Sequence, residues 1–239
     1  MAQAHHPIAA TVLGLIGTIC WCIQLIPQIV RNYRSKSTEG LPGSMMFLWG
    51  VSGVPFGVYA LLQNLNIPLQ VQPQIFMVLS LTAWGQCLHY SHSFSSLHAI
   101  LLSSGLLAVL GGLEAVLVLF LPRSTAALTT VGVVAAVLLA AGLLPPYREI
   151  VKRRGRVVGI DWVFLMVDWA GAFFSLMSLV AQEEFDVLAG VMYIACLCLE
   201  SGIFACGVVW WVRHRGRKGD VDLEGVGEGE VEGKEEKAV

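Results

Sequence analysis

The sequence predicts an all-α membrane protein: seven transmembrane helices, arranged as two parallel three-helix bundles joined by one linker helix. Three observations carry that expectation. The 239 residues are 56% hydrophobic and only 13% charged, where a soluble domain carries about 25% charged residues; mean hydropathy is +0.69. The charges fall in a few short clusters, leaving apolar runs of roughly 20 residues, the length a spanning helix needs. Two segments, starting at Gln24 and Gly142, also read as copies of one unit 118 residues apart (142 less 24). In each, a long apolar run ends at a proline-centred turn, then a short basic stretch, then a glycine-rich apolar run. Duplicated units of hydrophobic helices are a common way to build a site between two copies.

The spans are expected near 8–30, 43–63, 71–92, 98–121, 125–147, 160–182 and 186–212. Runs of this length without strand-like alternation are helices, because backbone groups in lipid must satisfy one another. Lys and Arg set the orientation. The first connection carries Arg31, Arg34 and Lys36, and the fifth carries Arg148, Lys152, Arg153, Arg154 and Arg156. The C-terminal region carries Arg213, Arg215, Arg217, Lys218, Lys234 and Lys237, while Arg123 is the single basic residue out of place. The positive-inside rule puts the N-terminus in the lumen and the C-terminus in the cytosol. Parity agrees: a three-helix unit starts outside and ends inside, so a parallel second copy needs one inverting helix. The units are expected at 1–92, 93–124 for the linker helix, and 125–213. The acidic 214–239 tail, rich in Gly, Val and Glu, has no core-forming pattern and is expected to be disordered.

Pro27-Gln28 followed by Lys36-Ser37-Thr38-Glu39-Gly40-Leu41 resembles the first motif of the PQ-loop repeat proteins. Pro145-Pro146 resembles the second, with proline in place of glutamine. The resemblance covers everything but the tail. It implies a secondary transporter of the cystinosin or lysosomal-vacuolar cationic amino acid exporter type, working in a vacuolar or lysosomal membrane. The related SWEET sugar uniporters and KDEL-receptor-like sorting receptors, or a nutrient-sensing transceptor, are the alternatives it admits. A third dipeptide, Pro73-Gln74, is expected to open the third span, where proline is ordinary.

Pro27 and Pro145 are expected to act as hinges, since an interior proline removes a hydrogen bond and clashes with the preceding turn; Pro55 is a further kink candidate. Asp168 is the sharpest single residue. It lies roughly 12 Å along the sixth span, where a charged carboxylate costs about 2.5–3.5 kcal/mol and marks an ion or substrate path. The stretch from Asp168 to Leu176 also resembles the cystinosin segment that holds its proton-coupling aspartate. Glu200, near the middle of the seventh span, is the second proton-coupling candidate. Glu114, in the linker helix, is read as neutral or paired and structural, and His89 as a satisfied interfacial histidine.

No span interior contains Lys or Arg. A substrate carboxylate would meet neutral groups such as Gln24 or Gln86, and the acids favour a cationic or zwitterionic substrate carried with a proton. Trp49, Tyr59, Trp169 and Tyr193 are candidate cation–π contacts. The empty basic inventory argues against a receptor for a peptide C-terminus, and Asp168 argues against a sugar uniporter. Cys20/Cys22 and Cys196/Cys198 point about 200° apart on a helix, so neither pair can chelate a metal. No enzyme constellation, cofactor motif or nucleic-acid patch is present. The expected partners are lipid, an amino acid and a proton.

Overall fold

The computed structural model describes residues 7–64, 67–182, 185 and 187–235; residues 1–6 and 236–239 of the expected end units lie outside the described residues. The described chain is helical, with no strand. Its elements are α1 (Pro7–Ile23), α2 (Leu25–Ser35), α3 (Gly43–Leu62), α4 (Ile67–Tyr90), α5 (Ser96–Phe120), α6 (Thr125–Gly142), α7 (Leu144–Lys152), α8 (Trp162–Val180) and α9 (Val187–Glu235).

Among the described residues, six stretches are long and apolar enough to cross a membrane: Ile8–Ser35, Gly43–Leu62, Ser96–Phe120, Thr125–Lys152, Trp162–Val180 and Ala189–His214. The chain is therefore a multi-pass membrane protein. Its lipid-facing surfaces are visible as rows of exposed apolar side chains, such as Ile8, Val12, Leu15, Ile19, Ile23, Ile26 and Val30 along α1 and α2. That spacing of three and four residues is one face of a helix.

The seventh expected span, α4, is 24 residues long but more polar than the others. Its Gln72 and Ser80 are buried, while Gln74 bonds Glu114 and Gln86 bonds Asn32. The helix packs against α1, α2, α3 and α5, so its polar groups find partners in protein rather than facing lipid. Because α4 begins at Ile67, Pro73 lies inside the helix and not in its first turn, contrary to expectation. Pro55 is likewise inside α3.

Two of the apolar spans break, and the breaks correct the reading of the second motif. α1 stops at Ile23 and α2 starts at Leu25; α6 stops at Gly142 and α7 starts at Leu144. Proline has no N–H to give to the carbonyl four residues earlier. Pro27 therefore orphans Ile23, and Pro146 orphans Gly142, the last residue before each break. Three landmarks share a spacing of 119 residues: the breaks at Gln24 and Leu143, the left-handed glycines Gly40 and Gly159, and the starts of α3 and α8 (143 less 24, 159 less 40, 162 less 43). Pro146 thus stands where Pro27 stands, Pro145 is an extra proline ahead of it, and Tyr147 occupies the place of Gln28.

The helix packing follows the same correspondence. α4 lies against both α1 and α3, and α9 against both α6 and α8; the broadest contacts between these groups are α1 with α8 and α3 with α6. α5 packs on α3 and α4. α9 continues to Glu235, into the tail whose composition led us to expect no structure.

Candidate functional site

A small cavity lies where α1, α3, α4, α6, α8 and α9 meet. Its volume is about 20 Å³, room for roughly one water molecule. Trp21 and Gln24 line it from the first span, Trp49 and Phe56 from α3, Gln72 and Phe76 from α4. Leu139 and Leu143 close it at the α6 break, and Asp168, Cys196 and Glu200 complete it from α8 and α9.

The acids are the chemical centre. Asp168 is 4% exposed and Glu200 1%. Their carboxyl groups and the Gln24 amide share the cavity wall, Glu200 and Gln24 both beside Asp168. One oxygen on each, Oδ2 of Asp168, Oε2 of Glu200 and Oε1 of Gln24, has no partner. Three buried acceptors in one place require a donor, because an unsatisfied buried polar group is costly. A proton on one carboxyl satisfies part of that demand, since a protonated carboxyl donates where a carboxylate only accepts. The lining contains no Lys, Arg or His to do so instead.

Two indoles brace the site across the two groups of helices. Trp21 Nε1 donates to the Asp168 carbonyl at 3.2 Å, and Trp49 Nε1 to the Leu139 carbonyl at 3.1 Å. Each is seated by a glycine: a Cβ at Gly171 would fall on the Trp21 indole, and one at Gly142 on that of Trp49. Tyr193 tilts against Trp21 with centroids 5.5 Å apart.

At the end of the bundle rich in Arg and Lys, the loops after α2 and α7 touch backbone to backbone. Gly40 (φ 83°) and Gly159 (φ 85°) meet there, and a Cβ on either would strike the other loop's main chain. Gln28, fully buried, latches this contact. Its Nε2 donates to Asn32 Oδ1 at 2.8 Å and to the Gly159 carbonyl at 3.0 Å; its Oε1 accepts from the Asp161 N–H at 2.7 Å. Arg31 donates to the Ile160 carbonyl, and Arg153 pairs with Glu39 at 3.1 Å.

Among the sequence candidates, Asp168, Glu200, Gln24 and Trp49 converge on the cavity, and Tyr193 adjoins it through Trp21. Tyr59, Gln86 and Trp169 do not line it. Gln86 bonds the Ile29 carbonyl, and Trp169 donates to Ser201 Oγ and stacks on Phe173. α3 and α8, which carry Tyr59 and Trp169, are apolar on nearly every side, so hydropathy gave no sign of which face turns inward. Glu114 is paired with Gln74, and His89 contacts the Phe94 carbonyl. Trp21 and Gln72 were missed. Trp21 lies three residues before Gln24, one helical turn away, and that spacing could have found it.

A family model described as the PQ loop repeat matches residues 9–69, which include Pro27-Gln28. The chain is 39% identical over 236 residues to the Saccharomyces cerevisiae membrane protein YDR090C, a match covering 96% of this chain and 76% of the relative. It is 38% identical over 224 residues to the Schizosaccharomyces pombe protein C2E12.03c, covering 91% of this chain and 78% of that one. A shorter match, 31% identical over 86 residues, covers 35% of this chain and 28% of the Saccharomyces cerevisiae vacuolar lysine transporter YPQ1.

Proposed function

The chain belongs to the PQ-loop repeat family, and on that premise we propose that it is a proton-coupled exporter of a cationic amino acid from an acidic organelle. The observation that carries the reading is the Asp168–Glu200 carboxyl pair, buried with unpartnered oxygens at the junction of the two helix groups. Two carboxyls with no base beside them take up two positive charges, a proton on one and an ammonium group on the other. The indoles of Trp21 and Trp49 in the same wall suit a cation as well. The likeness of one segment to a vacuolar lysine transporter supports the same substrate class.

In this reading, α1–α4 and α6–α9 form two parallel three-helix repeats, each with one broken span, and α5 is the linker. The repeats rock about the breaks at Gln24 and Leu143. The Gln28 latch holds the basic end closed, and its release opens the cavity to the cytosol. Protonation neutralises the pair and lets the repeats reorient without dragging a bare carboxylate through the dry interior.

The proposed orientation puts both motif loops in the cytosol, with the N-terminus lumenal. Ser37→Cys and Gly155→Cys, in a chain otherwise free of cysteine, react with an impermeant thiol reagent only from the cytosolic side; lumenal labelling of either contradicts the orientation. Function is tested by uptake into proteoliposomes. Labelled lysine, arginine or histidine moves faster than a neutral amino acid or a hexose, and faster under a pH gradient than without one. Hexose transport indifferent to pH would replace this reading with a uniporter.

A further inference from the structure

Tyr147 stands in the second motif where Gln28 stands in the first, and the two side chains reach different helices. Gln28 bonds the main chain just ahead of α8, at Gly159 and Asp161, nine and seven residues before Asp168. Tyr147 donates its phenol proton to the Leu199 carbonyl in α9, the residue before Glu200. Gly202, one turn further on, leaves the room: a Cβ there would fall on the phenol oxygen. Each broken span is therefore tied by the residue after its proline to one of the two helices that bear the carboxyl pair.

We propose that Tyr147 is the positioning residue for Glu200. By holding the α9 backbone at Leu199, the phenol fixes the height and rotation of α9, and so keeps the Glu200 carboxyl against Asp168. A movement at the Leu143 break is passed to Glu200 through that bond. The inference rests on the carboxyl pair being the proton site. It does not follow from the motif, which has an amide at this position in its first copy and no phenol.

The groups that face Glu200 bound what a pH readout can report. Asp168 approaches it from α8, Tyr147 from α7, and Cys196 lies one turn earlier on α9. α6 contributes only Leu139 and the following Leu143 to the cavity wall.

The test is infrared spectroscopy of the carboxyl C=O stretch on the full-length protein in lipid, with pH stepped through the titration. Glu200→Gln and Asp168→Asn each remove part of the titrating band. Tyr147→Phe keeps the band's amplitude and moves its midpoint by about half a pH unit or more. Gly202→Ala, which displaces the phenol while favouring the helix, reproduces that movement from a different element. A wild-type midpoint in both variants overturns the role of Tyr147 while leaving the carboxyl pair standing. A band unchanged in Glu200→Gln and Asp168→Asn overturns the pair as the proton site, and the inference with it.

Discussion

Asp168→Asn leaves the fold intact and removes the pH dependence of net transport. The substitution keeps the shape of the side chain and an amide that can still meet Glu200 and Gln24, but it does not titrate. The Trp21 bond is to the Asp168 main chain and survives. What is lost is the difference between a protonated and an unprotonated pair, and with it the coupling of proton to substrate. Coupling free energies of about 1–3 kcal/mol correspond to roughly 5–150-fold, so gradient-driven uptake falls by that factor while exchange at equal pH persists. Flux into proteoliposomes with and without a gradient measures both. An Asn variant with wild-type flux and wild-type pH dependence makes Asp168 structural.

Gln28→Ala has the largest expected effect on the resting structure. Three hydrogen bonds disappear together, leaving the Asp161 N–H, the Gly159 carbonyl and Asn32 Oδ1 to find new partners. Orphaning a buried group costs about 1–3 kcal/mol. Water can reach parts of the loop, so the total is expected near 2–4 kcal/mol rather than three full penalties. The latch then opens more readily, and thermal unfolding in detergent occurs at lower temperature than for the wild type. Pro146→Ala removes no hydrogen bond and returns an N–H toward Gly142, so it is tolerated better. Equal loss of stability and transport in the two variants contradicts the latch.

Depth and charge made Asp168 and Glu200 legible in the sequence as separate candidates, and their pairing was not legible. A carboxylate in a long apolar run has few places to go except inward, and both Asp168 and Glu200 went there. Direction around the helix was not legible. In a soluble helix, water and core mark opposite faces; in a span, lipid and protein are both apolar, so Tyr59 and Trp169 looked as suitable as Trp49. α4 shows the reverse case: its glutamines make it a weak membrane span by composition, yet Gln72, Gln74 and Gln86 are what fix it among its neighbours.

The second motif was misread by one residue for a related reason. Pro145 and Pro146 are adjacent and each can break a helix, so the letters alone leave two registers open. The break at Leu143 and the left-handed turn at Gly159 select Pro146, which brings Tyr147 into line with Gln28. The loop contact between Gly40 and Gly159 was equally hidden, because a glycine in sequence does not say which backbone approaches it.

The central claim is that one proton and one cationic amino acid leave through the Asp168–Glu200 pair together. The direct measurement follows both in the same vesicles: full-length protein in proteoliposomes with an acidic interior, loaded with labelled lysine and a trapped pH-sensitive dye. The account predicts that lysine efflux is accompanied by alkalinisation of the interior, and that Asp168→Asn uncouples the two. Lysine efflux with no proton movement in the wild type, or coupled efflux undiminished in Asp168→Asn, contradicts it.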